Sequence, residues 1–143
     1  MPPDHPDANE RLARETLLDR VPVPEEQIHP LRSPDIELPE RFDLVLLGLG
    51  PDGHTASLFP GHEEELSNPG PIVRVPRPGL PPPHPRLTFS LVYLNSQPLA
   101  LVLVAGEGKR DALGRVLAGD ASLPGARLRA RKTVVLADRA AAP

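Results

Sequence analysis

Apolar runs and alternations divide the chain into strand-like and helix-like stretches. Leu44-Val45-Leu46-Leu47 has no polar residue on either face, and a run that short, followed by Gly48 and Gly50, predicts a strand buried on both faces. The run over 99–105 has the same character and predicts a second buried strand. Arg86-Leu87-Thr88-Phe89-Ser90-Leu91 alternates apolar and polar residues, the period of a half-buried strand. A short strand over 133–137 comes last, with Asp138 placed to cap an Ala-rich turn.

Helical spacing appears twice. Over 8–20, Leu12, Ala13, Leu17 and Leu18 fall on one side and Arg11, Arg14, Glu15 and Asp19 on the other. Asp7 is placed to cap this helix, Glu10 sits in its first turn, and Val21-Pro22-Val23-Pro24 ends it. A second helix follows the 99–105 strand and runs to about 119, with Leu113, Val116 and Leu117 as its inner stripe. A short helix is expected after Ser57, closed by Pro60-Gly61. The stretch 32–41 reads as a polar linker with little room for helix between Pro34 and Pro39, and 62–69 as acidic and exposed. The stretch 71–85 reads as a proline-dense excursion, and Asn95 as a turn residue. Strand, Gly turn and helix occur in that order at Leu44 and again at Leu101, which predicts an α/β protein with a largely parallel sheet.

Composition narrows the class. With 143 residues the chain is long enough for one domain and not two. Its 21 Pro, 3% aromatic residues and absence of Trp leave few large side chains to fill a core, but the aliphatic clustering argues against disorder. A formal charge of −3 supplies no field for nucleic acid. No Cys is present, so disulfides and thiol chemistry are excluded. The five His show no paired helical spacing, so no metal site is expected. No apolar run approaches membrane-spanning length and the N-terminus carries no signal-like core, so the expectation is a soluble, cytoplasmic protein.

The candidate chemistry lies just beyond the first strand, where open α/β sheets bind their ligands. Gly48, Gly50, Pro51 and Gly53 form a loop able to turn sharply, and it carries Asp52 and His54, the acid and imidazole nearest the strand's end. A Gly-rich turn with a solvated Asp or His is common and by itself binds nothing. Counting Gly48, Gly50 and Gly53 matches the dinucleotide fingerprint, but Pro60 interrupts the following helix and no acid ends a second strand at the distance a ribose contact needs.

The whole stretch is far more specific than its glycines. Gly50-Pro51-Asp52-Gly53-His54-Thr55-Ala56-Ser57-Leu58-Phe59-Pro60 closely resembles the central motif of the 6-phosphogluconolactonases, without a gap. The resemblance extends to Asp4-His5-Pro6-Asp7-Ala8-Asn9, with Ala8 in place of a Ser, and to Gln27-Ile28-His29, which resembles a short strand of the family and is expected to form one. It also covers Pro81-Pro82-Pro83-His84-Pro85-Arg86, with Leu80 where the family usually has a Lys, and Gly106-x-x-Lys109. It implies a three-layer αβα fold with a Rossmann-like sheet. It further implies hydrolysis of 6-phosphoglucono-1,5-lactone to 6-phosphogluconate in the oxidative pentose phosphate pathway, without metal or cofactor. Lactone hydrolysis needs an activated water, and a His is suited to that near neutral pH. His54 is the expected general base, with Asp52 either orienting it or binding substrate hydroxyls. Gly50 and Gly53 are candidate backbone donors to the oxyanion. Lys109 and Arg86 are candidate phosphate ligands, and Asn9 and Arg11 match an edge of the family's site.

The family's Asp-Glu-Arg motif and its Gly-Gly-Ser phosphate loop lie upstream of the matched segment and have no counterpart in 1–143. The expectation is therefore the C-terminal portion of a lactonase domain lacking its N-terminal strands, with apolar sheet surface open to water. Two other readings stay open: a sugar-phosphate isomerase or deaminase of the same fold, and a catalytically incomplete fragment. A fourth, a polyproline ligand over 71–85, is outweighed by the family's own Pro run at that place.

Overall fold

The computed structural model describes residues 5, 8–77 and 84–143. Three strands, β1 (Val45–Gly48), β4 (Leu99–Val104) and β5 (Lys132–Ala137), form a parallel sheet in the order β1-β4-β5. Two more, β2 (Ile72–Val75) and β3 (Arg86–Phe89), pair antiparallel with Val75 opposite Arg86. The helices are α1 (Asn9–Thr16), α2 (Glu63–Leu66), α3 (Leu91–Asn95) and α4 (Arg110–Leu117), with 3₁₀ turns at Leu18–Arg20, Glu25–Gln27, Glu107–Lys109 and Pro124–Arg127.

One face of the parallel sheet makes the core. Val45, Val102 and Val104 are buried together with Leu58, Leu94, Leu113 and Leu128. The opposite face was expected to be buried as well, and it is not. Leu46, Leu103 and Leu136 lie there 58%, 49% and 54% exposed, and the register sets Leu46 beside Leu101 and Leu103 beside Leu136. An all-apolar parallel strand needs cover on both sides. These strands have the composition of a two-sided sheet and, among the described residues, the cover of a one-sided one, which leaves a bare aliphatic face.

Several local expectations change. The helix expected over 8–20 stops at Thr16, because Leu17 leaves helical geometry at φ −135° and a 3₁₀ turn follows. No residue of α1 is buried, and its Leu12 lies exposed. The helix is held by charge: Arg14 donates to Glu10 and Glu25, and Arg32 donates to Glu10. The cap is Ala8, through its backbone alone, and Asp7 lies outside the described residues, as do Leu80 and Pro81 to Pro83. At 27–29 there is no strand. Gln27 and Ile28 N–H groups bond back to the Pro24 and Glu25 carbonyls, which closes a 3₁₀ turn instead.

No helix follows Ser57, where a tight turn closes with the Leu58 N–H on the Thr55 carbonyl. The acidic 62–69 stretch contains α2 and buries Leu66, and the proline-dense stretch opens with strand β2. Asn95 ends α3, a helix capped by the Ser90 hydroxyl, which accepts from the Tyr93 N–H at 3.0 Å. In α4 Leu113 is buried, but Leu117 is 60% exposed. Leu113→Ala should therefore cost about 2–5 kcal/mol of stability and Leu117→Ala no more than about 0.5 kcal/mol. Urea unfolding of the two variants checks this, and equal losses would contradict the burial.

Candidate active site

The loop after β1 is tied to itself. The Gly50 N–H donates to the His54 carbonyl at 2.8 Å and the Gly53 N–H to the Gly50 carbonyl at 3.0 Å. Both amides are thus used inside the loop, so neither is aimed outward at an oxyanion, as had been expected of them. Gly50 serves differently: a Cβ there would collide with the His54 ring and fall 2.6 Å from Asp52 Oδ1. Gly53 sits at φ +85°, the left-handed region that favours glycine. The Thr55 hydroxyl donates to the Gly48 carbonyl at 3.0 Å. Ala56 holds φ +50°, an uncommon state for a residue with a Cβ. The Ser57 N–H then donates to the Thr88 hydroxyl on β3 at 3.1 Å. The loop is anchored at both ends, once to its own strand and once to the hairpin.

This geometry presses His54 against Asp52. Nδ1 lies 2.6 Å from Asp52 Oδ1, and the same oxygen accepts the His54 backbone N–H at 3.1 Å. Burial pushes the Asp52 carboxyl up, but the hydrogen bonds from the His54 backbone and ring outweigh it and hold the group below its ordinary value. An ionised carboxylate only accepts, so in the neutral imidazole Nδ1 carries the proton and Nε2 the lone pair. The His54 ring also lies 4.7 Å from the ring of the buried Phe59. A held imidazole with one free basic nitrogen can take a proton from water.

The remaining candidates divide. A cleft of about 850 Å³ brings together Asn9, Ser57 and Arg86 with His29, Arg32 and Arg74. Arg86 shares its face of the hairpin with Thr88, two positions along the strand, and so stands on the side that holds the signature loop. Arg32 is already paired with Glu10. Arg11 is outside the cleft lining and pairs with Glu15 at 2.7 Å. Lys109 is not part of that lining either. It closes the 3₁₀ turn ahead of α4, after β4, and so stands at the same end of the sheet as the signature loop. The Gly106 N–H in front of it is held by the Asp138 carboxylate at 3.0 Å, and the same side chain accepts the Ala141 N–H at 2.7 Å, the cap expected of it. The Pro-rich surroundings of β2 hide Arg74 in the sequence, although Ile72-Val73-Arg74-Val75 alternates as a strand does. Among the described residues no cluster of three or more His, Asp or Glu is arranged around a metal position, and no helix is long and apolar enough to cross a membrane.

Fold and loop together define a sugar-phosphate isomerase/lactonase type of α/β protein. Residues 1–136 match the family of glucosamine-6-phosphate isomerases/6-phosphogluconolactonases, and the chain belongs to it. It is 39% identical over 140 residues to the 6-phosphogluconolactonase of Synechocystis sp., covering 82% of this chain and 56% of that protein. It is 34% identical over 139 residues to the human 6-phosphogluconolactonase, covering 82% of this chain and 52% of that one. The crystal structure of the Thermotoga maritima 6-phosphogluconolactonase superposes with a TM-score of 0.80 at 29% identity, over 96% of this chain and 67% of that one. The chain thus has the three-layer α/β fold of these proteins and spans little more than half the length of the two sequence relatives.

The lowered Asp52 pKa has a sign that can be checked. A carboxyl whose folded value is depressed adds stability that is full above its unfolded value of about 3.9 and is lost as pH falls through the folded value. Wild type and Asp52→Asn should therefore differ in melting temperature at pH 6 and converge as the pH falls through the lowered value of the folded-state carboxyl. A difference that grows with acid would contradict the His54–Asp52 bond.

Proposed function

We propose that the protein hydrolyses 6-phospho-D-glucono-1,5-lactone to 6-phosphogluconate, the lactonase step of the oxidative pentose phosphate pathway, with water activated by His54. The observation that carries this reading is the His54 Nδ1 to Asp52 Oδ1 contact of 2.6 Å inside the lactonase signature loop. His54 Nε2 takes a proton from water as the oxygen attacks the lactone carbonyl carbon. Asp52 stabilises the imidazolium that forms. Collapse of the tetrahedral intermediate breaks the bond to the ring oxygen, and the imidazolium returns its proton to that oxygen as it leaves. One water is consumed, and the product is an open-chain carboxylic acid.

Arg86 and Lys109 are the proposed phosphate ligands. Arg86 is supported by its place in the cleft with Ser57, and Lys109 by its place at the sheet end where α4 begins, where cations are otherwise disfavoured. A deaminase reading would use the same loop, but Thr55-Ala56-Ser57-Leu58-Phe59-Pro60 after the His resembles the lactonases. The exposed face of Leu46, Leu103 and Leu136 supports a further part of the proposal. The active protein has the length of its relatives, and the segment those relatives carry in addition covers that face and completes the phosphate site.

In the protein completed to that length, His54→Ala should lower turnover by about two orders of magnitude or more, the scale of a lost general base. Turnover at the wild-type level, after correction for spontaneous lactone hydrolysis, would remove His54 from the mechanism. Arg86→Ala and Lys109→Ala should each raise KM more than they lower kcat, since the phosphate is remote from the reacting carbonyl. The comparison substrate is the unphosphorylated lactone, against which each variant should match wild type. Equal damage toward both lactones would exclude that residue as a phosphate ligand.

A further inference from the structure

The stretch between α4 and β5 carries no motif, yet it lies under the signature loop. The Gly125 N–H donates to the Gly53 carbonyl at 3.0 Å. A Cβ on Gly53 would meet both methyl carbons of Leu123 at 2.9 Å, so the Leu123 side chain fills the space directly against the Gly53 backbone. Leu123, Pro124 and Ala126 are buried. The turn is fixed from three sides. The Asp120 carboxylate accepts the Ser122 hydroxyl at 2.6 Å and Arg115 Nη2 at 2.7 Å, and these bonds hold its pKa at about 2. Arg127 pairs with Glu63 at 2.9 Å. The Asn95 side chain donates to the Arg127 carbonyl at 3.1 Å and accepts the Arg129 N–H at 2.6 Å.

A cavity of about 250 Å³ lies beside the same stretch, against Leu49, Thr55, Gly125 and Ala126. The three atoms nearest to a Cβ placed on Gly53 all belong to Leu123. His54 follows Gly53 directly, and its carbonyl also accepts the Gly50 N–H that closes the loop. A shift of the Gly53–His54 peptide would move the imidazole relative to Asp52 and to a bound lactone, and displacements of about 1 Å can cost about 100-fold in rate.

We propose that Leu123 is a positioning residue for His54: its side chain, with the Gly125 N–H, forms a brace that fixes the Gly53–His54 peptide and thereby the catalytic imidazole. The catalytic wording rests on the lactonase reading; the brace itself does not.

The test is made in the protein completed to the length of its relatives and compares Leu123→Ala and Leu123→Met with wild type by steady-state lactone hydrolysis, by melting temperature and by the ring carbon–proton NMR resonances of the histidines. Leu123→Ala should lower kcat by about tenfold or more, leave KM within about twofold, and move the His54 ring resonance while that of His29 stays in place. Leu123→Met, which refills the space, should restore both. Should Leu123→Ala fail to fold, Leu123→Val replaces it, with a smaller shift expected in the same two readouts. A lowered melting temperature with the His54 resonance unmoved and kcat unchanged would make Leu123 an ordinary core residue and overturn the proposal. A moved His54 resonance in a protein that hydrolyses no lactone even as wild type would sustain the brace and sink the lactonase reading.

Discussion

The short contact between His54 Nδ1 and Asp52 Oδ1 sets conditions on everything near it. The two side chains come from positions only two residues apart, so the backbone must fold back over itself to bring them together. That turn leaves no space for a side chain at Gly50 and puts Gly53 in left-handed geometry. It also draws the Gly50 and Gly53 amides into the loop's own hydrogen bonds. Those amides are thereby committed within the loop, and the His54 imidazole has one nitrogen fixed by a carboxylate. The loop's order comes from this small circuit of bonds, with Thr55 fastening it to β1 and Ser57 to β3.

A second constraint acts at the scale of the sheet. Parallel strands form no short hairpins, so each needs a crossover, and the crossovers cover the faces. Here α4 and the turns beside it cover one face, while the leucines of the other face water. The same asymmetry divides the site. The imidazole and its carboxylate are assembled wholly from the chain after β1. The cationic groups fall into separate places: Arg86 and Arg74 border the cleft, and Lys109 stands at the head of α4. The His54–Asp52 geometry is thus local and already formed, whereas the cationic side chains stand on elements distant from one another. This division parallels the span of the chain, little more than half of its sequence relatives.

Charge does work in this protein that apolar packing does in larger cores. With three Phe, one Tyr and no Trp, the core is aliphatic and small. Peripheral elements are fastened by Arg–carboxylate pairs: α1 through Arg14 and Arg32, α2 through Arg127 and Glu63. Exposed pairs of this kind contribute little individually, about 0–1 kcal/mol. These elements are therefore oriented more firmly than they are stabilised.

The sequence by itself determined the parallel strands, the helix after β4, and the identity of the loop that carries Asp52 and His54. Those features are local: apolar runs, glycine turns and a contiguous motif are written in neighbouring residues. Tertiary structure decided which face of a wholly apolar strand is covered, because a run without polar residues carries no information about sides. It decided that α1 is held by ion pairs, since an amphipathic stripe does not say whether a core exists to receive it. It turned the expected Gly50 and Gly53 donors into a closed loop, because an amide's partner is fixed only when the chain has folded back. It separated Lys109 from the cleft that holds Arg86, and it set Leu123, 70 positions after Gly53, beneath the signature loop. Contacts between residues so far apart in the chain have no local pattern to announce them, and only the packed fold brings them within reach.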